Sequence, residues 1–187
     1  TQGVSSAASD VYKRQPQKEG LGNSDDDRSR RVGPPDREIR FRAAAKAIAT
    51  SIKRNRSGNE NPDCPILVEG LRDEKALREL GFTGMIEKVN RGWDRSKLVA
   101  YLYEKYGTRN IVDNGPALIL LMDWDRTGGR LQTVLREQLM AMDMPVDEDL
   151  RTVLLRVMKP ESRTIEALAP HSKNLNPLIE EFLDDPR

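Results

Sequence analysis

Cysteine and histidine are almost absent from this chain. Cys64 and His171 are the single representatives of their types among 187 residues, which excludes an intramolecular disulfide and any zinc site built from several thiolates or imidazoles. The metals left to such a composition are hard, oxygen-liganded ions, Mg²⁺ or Mn²⁺. Net charge is missing too: 31 basic and 30 acidic side chains leave +1, so any attraction for nucleic acid depends on where charges sit. No apolar run approaches the roughly 20 residues that span a bilayer. The expected protein has no membrane partner, and its lone cysteine fits a reducing, cytoplasmic setting. The length suits one domain plus tails, and nothing in the pattern specifies an oligomeric state.

The first 35 residues read as a disordered tail. Ser5 to Gln15 matches, residue for residue, one translated frame of a widely used transposon-type sequencing adapter. Residues 1–15 are therefore expected to be an artefact that replaces the natural N-terminus. Residues 16–35 mix Pro, Gly and Ser with the run Asp25-Asp26-Asp27 and the basic Arg28, Arg30 and Arg31, without periodicity.

Periodicity begins at Asp36. Phe41, Ala44, Ala45, Ile48 and Ile52 recur at helical spacing, surrounded by Arg37, Arg40, Arg42, Lys46, Lys53, Arg54 and Arg56. This basic amphipathic helix is either a phosphate-binding arm or a helix packed on the domain, and with the breaker Ser57 to Pro62 it forms a segment over 36–60. The main domain is expected over 61–170, and a short final helix and tail over 171–187.

Within that domain two short apolar runs end in acids. Pro65 to Val68 is followed by Glu69-Gly70, and Ala117 to Met122 by Asp123-Trp124-Asp125-Arg126-Thr127-Gly128-Gly129. Short apolar runs bounded by turn residues predict fully buried strands. In extended backbone, residues two apart point the same way about 6.6 Å apart, so Asp123 and Asp125 can share an ion; the alternative is a polar loop with one Asp capping the next helix. Between these runs the pattern predicts a helix over 74–80 capped by Asp73, a strand over 85–89, a turn at Asn90-Arg91-Gly92 and a helix over 96–106. Afterwards come a helix over 131–142, another through Leu150, Val153, Leu154 and Val157 with Asp147 as N-cap, a short strand or turn at 164–168, and a last helix capped by Asn176. Met140, Met142 and Met144 are expected to fill the core and a helix end. The order βαβαβα is the signature of a parallel sheet with helices on both sides, and ligands then sit beyond the C-terminal strand ends.

Val68-Glu69-Gly70-Leu71-Arg72-Asp73-Glu74-Lys75-Ala76-Leu77, with Asp123-Trp124-Asp125-Arg126-Thr127-Gly128 about fifty residues later, resembles a Toprim domain, the magnesium-dependent module of topoisomerases, bacterial-type primases and several nucleases. The match resembles most the small stand-alone archaeal Toprim proteins. The resemblance implies a Rossmann-like three-layer α/β fold with a small, mostly parallel sheet of about four strands. It implies Glu69 as general acid/base or metal ligand, Asp123 and Asp125 as Mg²⁺ ligands, and Asp73 as a further family acid whose other reading is a helix cap. Arg91, Arg126 and Arg130, with the backbone amides of Gly128 and Gly129, are phosphate-contact candidates; Gly70 and Asn90 are secondary ones. The expected function is phosphodiester chemistry, most specifically endonucleolytic cleavage of structured RNA rather than DNA, with primase-like nucleotidyl transfer or a non-catalytic scaffold as alternatives. Gly129 stands where type IA topoisomerases carry another acid, and no large tyrosine-bearing breakage domain accompanies Tyr101, Tyr103 or Tyr106. Trp93 and Trp124 could stack on bases or belong to the core.

Overall fold

A computed structural model describes residues 36–56, 58 and 62–185. The expectations for the tail over 1–35 lie outside these residues. The chain runs through helix α1 (Arg37–Asn55), strand β1 (Ile66–Val68), α2 (Leu71–Glu79), β2 (Ile86–Lys88), α3 (Arg95–Tyr106), β3 (Leu118–Leu120), α4 (Arg126–Met140), β4 (Val146–Asp147), α5 (Asp149–Val157), a 3-10 helix (Glu166–His171) and α6 (Ser172–Asp184). The strands form one parallel sheet in the order β2-β1-β3-β4, flanked by helices as the α/β pattern predicts.

Strand alternation sorts the core into two halves. Ile66, Val68, Ile119 and Leu121 face one side, where they pack with α1, α2, α5, the 3-10 helix and α6. Leu67, Leu118, Leu120 and Met122 face the other, against Leu98, Val99 and Leu102 of α3 and Leu135 and Leu139 of α4. The result is three layers, with both faces of β1 and β3 covered. This explains why their sequences are unbroken apolar runs.

The basic helix is part of this core, which settles its two readings in favour of packing. Phe41, Ala44, Ala45, Ile48, Ala49 and Ile52 are buried, and each large apolar side chain so buried contributes about 1.5–3 kcal/mol. Several of its cations are tied to the same body. Arg40 donates to the Val157 carbonyl at 3.0 Å and pairs with Glu161 at 2.7 Å; Arg42 pairs with Glu181. Lys53 donates to the carbonyls of Phe182 and Asp185, and Arg54 pairs with Asp113 and Asp147. Asn55, fully buried, closes the helix by donating to the carbonyls of Cys64 and Met85 and accepting from the Gly84 amide. α1 and α6 therefore share the core of the main domain and pack on each other.

Several expectations about elements change. The fourth strand is Val146–Asp147; of the strand or turn expected over 164–168 the structure shows a bend that leads into the 3-10 helix from Glu166. Asp147 is thus a strand residue, although its carboxylate still accepts from the Asp149 amide at 3.0 Å. α2 starts at Leu71, so Asp73 is its third residue and holds the helix head by accepting from the Gly70 amide at 2.9 Å. α4 begins at Arg126, capped by Asp125, rather than at 131. Asn176 is inside α6, donating to the Glu79 carbonyl at 3.0 Å. Met144 is buried but Met140 is largely exposed. Among the described residues no helix is long and apolar enough to cross a membrane.

Candidate functional site

The strand order creates an opening before any side chain is considered. From β1 the chain moves through α2 to β2 on one flank, whereas β3 continues through α4 to β4 on the other. α2 packs on one face of the sheet and α4 on the opposite face. Beyond the C-terminal ends of β1 and β3 the two connections part, and this switch point is where open α/β sheets bind ligands. A cleft of 540 Å³ lies there, lined by Glu69, Gly70, Leu71, Arg72, Asp73, Asn90, Asp123 and Glu166. Glu69 directly follows β1, and Asp123 follows the end of β3. The pairing of Leu67 with Leu120 brings the two acids onto neighbouring strand ends.

Backbone amides orient each carboxylate by one oxygen. Glu69 Oε1 accepts from the Asp123 amide at 3.3 Å, Asp123 Oδ1 from Ile165 at 2.8 Å, Asp125 Oδ1 from Gly128 at 2.7 Å and Asp73 Oδ2 from Gly70 at 2.9 Å. Burial is the main force on their titration, reinforced by mutual repulsion. It pushes Asp123 up to about 7, with Asp73, Glu69 and Asp125 adding to the rise. Glu69 is raised by burial and by Asp73 and Asp125, and Asp73 by burial and by Glu166. The cleft thus crowds carboxyl groups whose titration is raised first by burial and second by their mutual repulsion.

Two side chains hold the β3 end where β4 is too short to pair with it. Gln132 accepts from the Met122 amide at 3.1 Å and donates to the Leu120 carbonyl at 3.2 Å. Arg151 donates to the carbonyls of Met122 at 3.1 Å and Asp123 at 3.0 Å. Their polar groups replace the missing ladder partners of the strand that carries the acids. Arg151→Met keeps the aliphatic stem but leaves these carbonyls without their donors, so the free energy of unfolding should fall by about 1–3 kcal/mol. Urea titration of both proteins at pH 7 measures it.

Gly128 serves close packing against Asp123. A Cβ on Gly128 would lie 2.3 Å from the Asp123 carbonyl oxygen, whereas one on Gly129 would meet nothing nearer than Arg151 at 3.6 Å. The amides of both glycines are already engaged by Asp125, through its carboxylate at 2.7 Å and its carbonyl at 3.0 Å. They are therefore not open to a phosphate, contrary to expectation, because Asp125 caps α4 itself.

The other expected residues divide. Asp73 and Asn90 line the cleft beside Glu69 and Asp123, with the Asn90 amide donating to the Glu69 carbonyl at 2.9 Å. Asp125, Arg126 and Arg130 are exposed at the head of α4. Arg91 turns instead toward α3, donating to the Lys88 carbonyl and pairing with Glu87. Glu87, only 3% exposed, also accepts from Tyr101, Lys105 and Tyr106. These partners overcome its burial and hold its carboxyl down at about 2. Trp124 is a core residue whose indole donates to the Ser162 carbonyl at 2.7 Å, so it cannot stack on a base. Sequence reasoning missed Glu166, Gln132 and Arg151. Glu166 fell inside the segment expected to be a short strand or turn; Gln132 and Arg151 carry no local signal, since their partners are carbonyls and amides distant in sequence.

Among the described residues no group of three or more His, Cys, Asp or Glu side chains is arranged to hold a metal ion as it stands. The donors nonetheless suit magnesium: they are carboxylate oxygens, one oxygen of each is fixed by an amide, and Mg²⁺ usually takes one or two carboxylates plus water and substrate phosphate.

No family model matches the chain. A solved structure of a protein from Aquifex aeolicus is similar at 26% identity, with a TM-score of 0.47, covering 64% of this chain and 93% of that one. UPF0292 proteins of three Thermococcus species also align with it. Those of T. onnurineus and T. sibiricus are 34% identical over 103 and 104 residues, covering 55% of this chain and 69% and 73% of theirs. That of T. gammatolerans is 32% identical over 104 residues. At this identity and coverage the chain belongs to the UPF0292 protein family.

Proposed function

We propose that the cleft performs Mg²⁺-dependent phosphodiester chemistry on nucleic acid as a stand-alone Toprim domain, and that the reaction is endonucleolytic cleavage of structured RNA. The observation that carries the reading is the meeting of Glu69 and Asp123 at neighbouring strand ends, with Asp73 in the same cleft and Asp125 in electrostatic reach. Glu69, Asp123 and Asp125 would hold the ion. When bound, Mg²⁺ or Mn²⁺ polarises a phosphodiester and offsets charge on the attacking or leaving oxygen. Glu69, held above the ordinary carboxylate range chiefly by burial, is suited to moving a proton at that oxygen. Arg126 and Arg130, exposed on the first turns of α4, are available to a phosphate. The preference for RNA rests on the small nucleases among the proteins the motif resembles.

A second reading has its own observation. The use of the Asp125 carboxylate and of the Gly128 and Gly129 amides to cap α4 favours a non-catalytic nucleic-acid scaffold. Labelled structured RNA and the matching DNA, incubated with the protein in Mg²⁺ and in EDTA, separate the two. Cleavage in Mg²⁺ alone, lost in Glu69→Gln by roughly 10²–10⁴-fold while the fold persists, supports the nuclease. Binding that is equal in EDTA, with no cleavage and no effect of that substitution, supports the scaffold. Template-directed nucleotide incorporation would instead establish the primase-like reaction.

A further inference from the structure

We propose that Trp93 is a stacking platform for an unpaired base, so that the cleft takes single-stranded nucleic acid whose chain runs from the acids across Asn90 to the head of α3. The inference rests on the nucleic-acid reading of the cleft and adds the form of substrate and the residue that selects it. Four observations lead there. Trp93 is 36% exposed, whereas Trp124 is 5% exposed. Its ring is braced at one side by Tyr101, edge-on with centroids 5.2 Å apart. Cations gather on it: the Lys97 ammonium lies 4.9 Å and the Arg91 guanidinium 5.1 Å from the ring centroid. Asn90, three residues earlier, lines the acidic cleft.

The segment between them is short and shaped. Three residues span at most about 11 Å, so a base on Trp93 belongs to a nucleotide one or two positions from a phosphate in the cleft. Gly92, at φ 76°, takes a left-handed conformation that side chains disfavour and redirects the chain between the cleft and the indole. Arg91 is fixed from beneath by Glu87 and the Lys88 carbonyl; Lys97 sits on exposed surface over the ring. An incoming base displaces Lys97 from the indole, because stacking of a base on an aromatic ring is stronger than an exposed cation–π contact. The displaced ammonium stays close enough to pair with the backbone phosphate. A duplex offers no such base, since its π-faces are already stacked.

The test uses the full chain in EDTA, so that no cleavage is read. A twelve-nucleotide oligo(U), an oligo(dT) of the same length and a duplex containing the same strand are titrated by fluorescence anisotropy, and tryptophan emission is followed in parallel. Both or either single strand should bind and quench Trp93 emission, while the buried Trp124 supplies a constant background; the two strands tell whether RNA or DNA is preferred. The duplex should bind about tenfold more weakly. Trp93→Ala should lower single-strand affinity about tenfold, whereas Trp93→Phe, which keeps a ring and guards against misfolding, should retain most of it. Unchanged affinity in Trp93→Ala, equal binding of the duplex, or binding of neither single strand would overturn the platform. Loss of cleavage activity alone would leave it standing and overturn only the nuclease.

Discussion

Asp123→Asn should make the metal-free protein more stable and the Mg²⁺-loaded protein inactive. The carboxylate is pushed up to about 7 by burial first and by Asp73, Glu69 and Asp125 second. A displacement of one pH unit corresponds to about 1.4 kcal/mol, so a rise from the ordinary range to about 7 bounds the effect near 4 kcal/mol. Water in the cleft screens part of that, and a gain of about 1–2 kcal/mol at pH 7.5 is expected. Asparagine keeps the Oδ1 acceptor for the Ile165 amide, now 2.8 Å away. Even partners outside the ligand set cost roughly 10–100-fold when lost from metal sites, so cleavage should fall by about 100-fold or more. Thermal unfolding in EDTA and a cleavage assay in Mg²⁺, run on the same preparations, measure both. A less stable variant that retains cleavage would refute the assignment of Asp123 to a charge-stressed metal site.

The sign of the pH dependence follows from the same group. Between about pH 4 and 7 the unfolded chain has released the Asp123 proton while the folded chain retains it, so stability falls as pH rises through this window. Glu87 acts oppositely at lower pH. Its folded carboxyl titrates at about 2, so the stability it provides is complete above its ordinary range and disappears as pH falls toward 2. The metal-free protein should therefore have a stability maximum near pH 4–5, flattened on its alkaline side in Asp123→Asn. Mg²⁺ held at Asp123 as proposed would displace the proton, so its stabilising effect should be larger at pH 8 than at pH 6.

Gly128→Ala should cost about 3 kcal/mol or more, at the upper end of overpacking effects, while Gly129→Ala should be neutral or stabilising. The two positions are neighbours in the first turn of α4, so helix propensity favours alanine equally at both. They differ in what lies opposite. At Gly128 the obstruction is backbone, the Asp123 carbonyl at 2.3 Å and its carbon at 2.7 Å, which cannot move without moving the acid. At Gly129 it is the end of a long side chain at ordinary contact distance. Chemical denaturation of the two variants against the parent decides the matter; equal effects would mean that α4 is free to slide away from β3.

Much of this architecture was legible because it is written in local pattern. Ile66 to Val68 and Leu118 to Leu120 are apolar on both faces, and α1 shows its buried stripe at helical spacing, so strands, helices and the parallel order could be read directly. The meeting of Glu69 and Asp123 also followed, since strand ends in such a sheet share one edge. What escaped depended on distant partners. β4 is two residues long and only intermediate in burial, with no pattern to announce it. The role of α1 was ambiguous because Arg40, Arg42, Lys53 and Arg54 look free until Glu161, Glu181, Asp147 and the carbonyls of α6 are brought to them. Arg91 pairs with Glu87, a near neighbour in sequence whose burial in β2 no local pattern announces.

The brevity of the strands has a consequence for how this chain meets other chains. Both outer strands of the sheet are short, β2 with three residues and β4 with two, and β2 carries Glu87 and Lys88 among its three. A foreign strand laid along either border would find only a few backbone groups to pair with. Short, charged borders are how natural sheets resist runaway strand addition. A chain with such uninterrupted apolar segments at its centre is thereby guarded against polymerising through them, for they lie one strand inward on both sides.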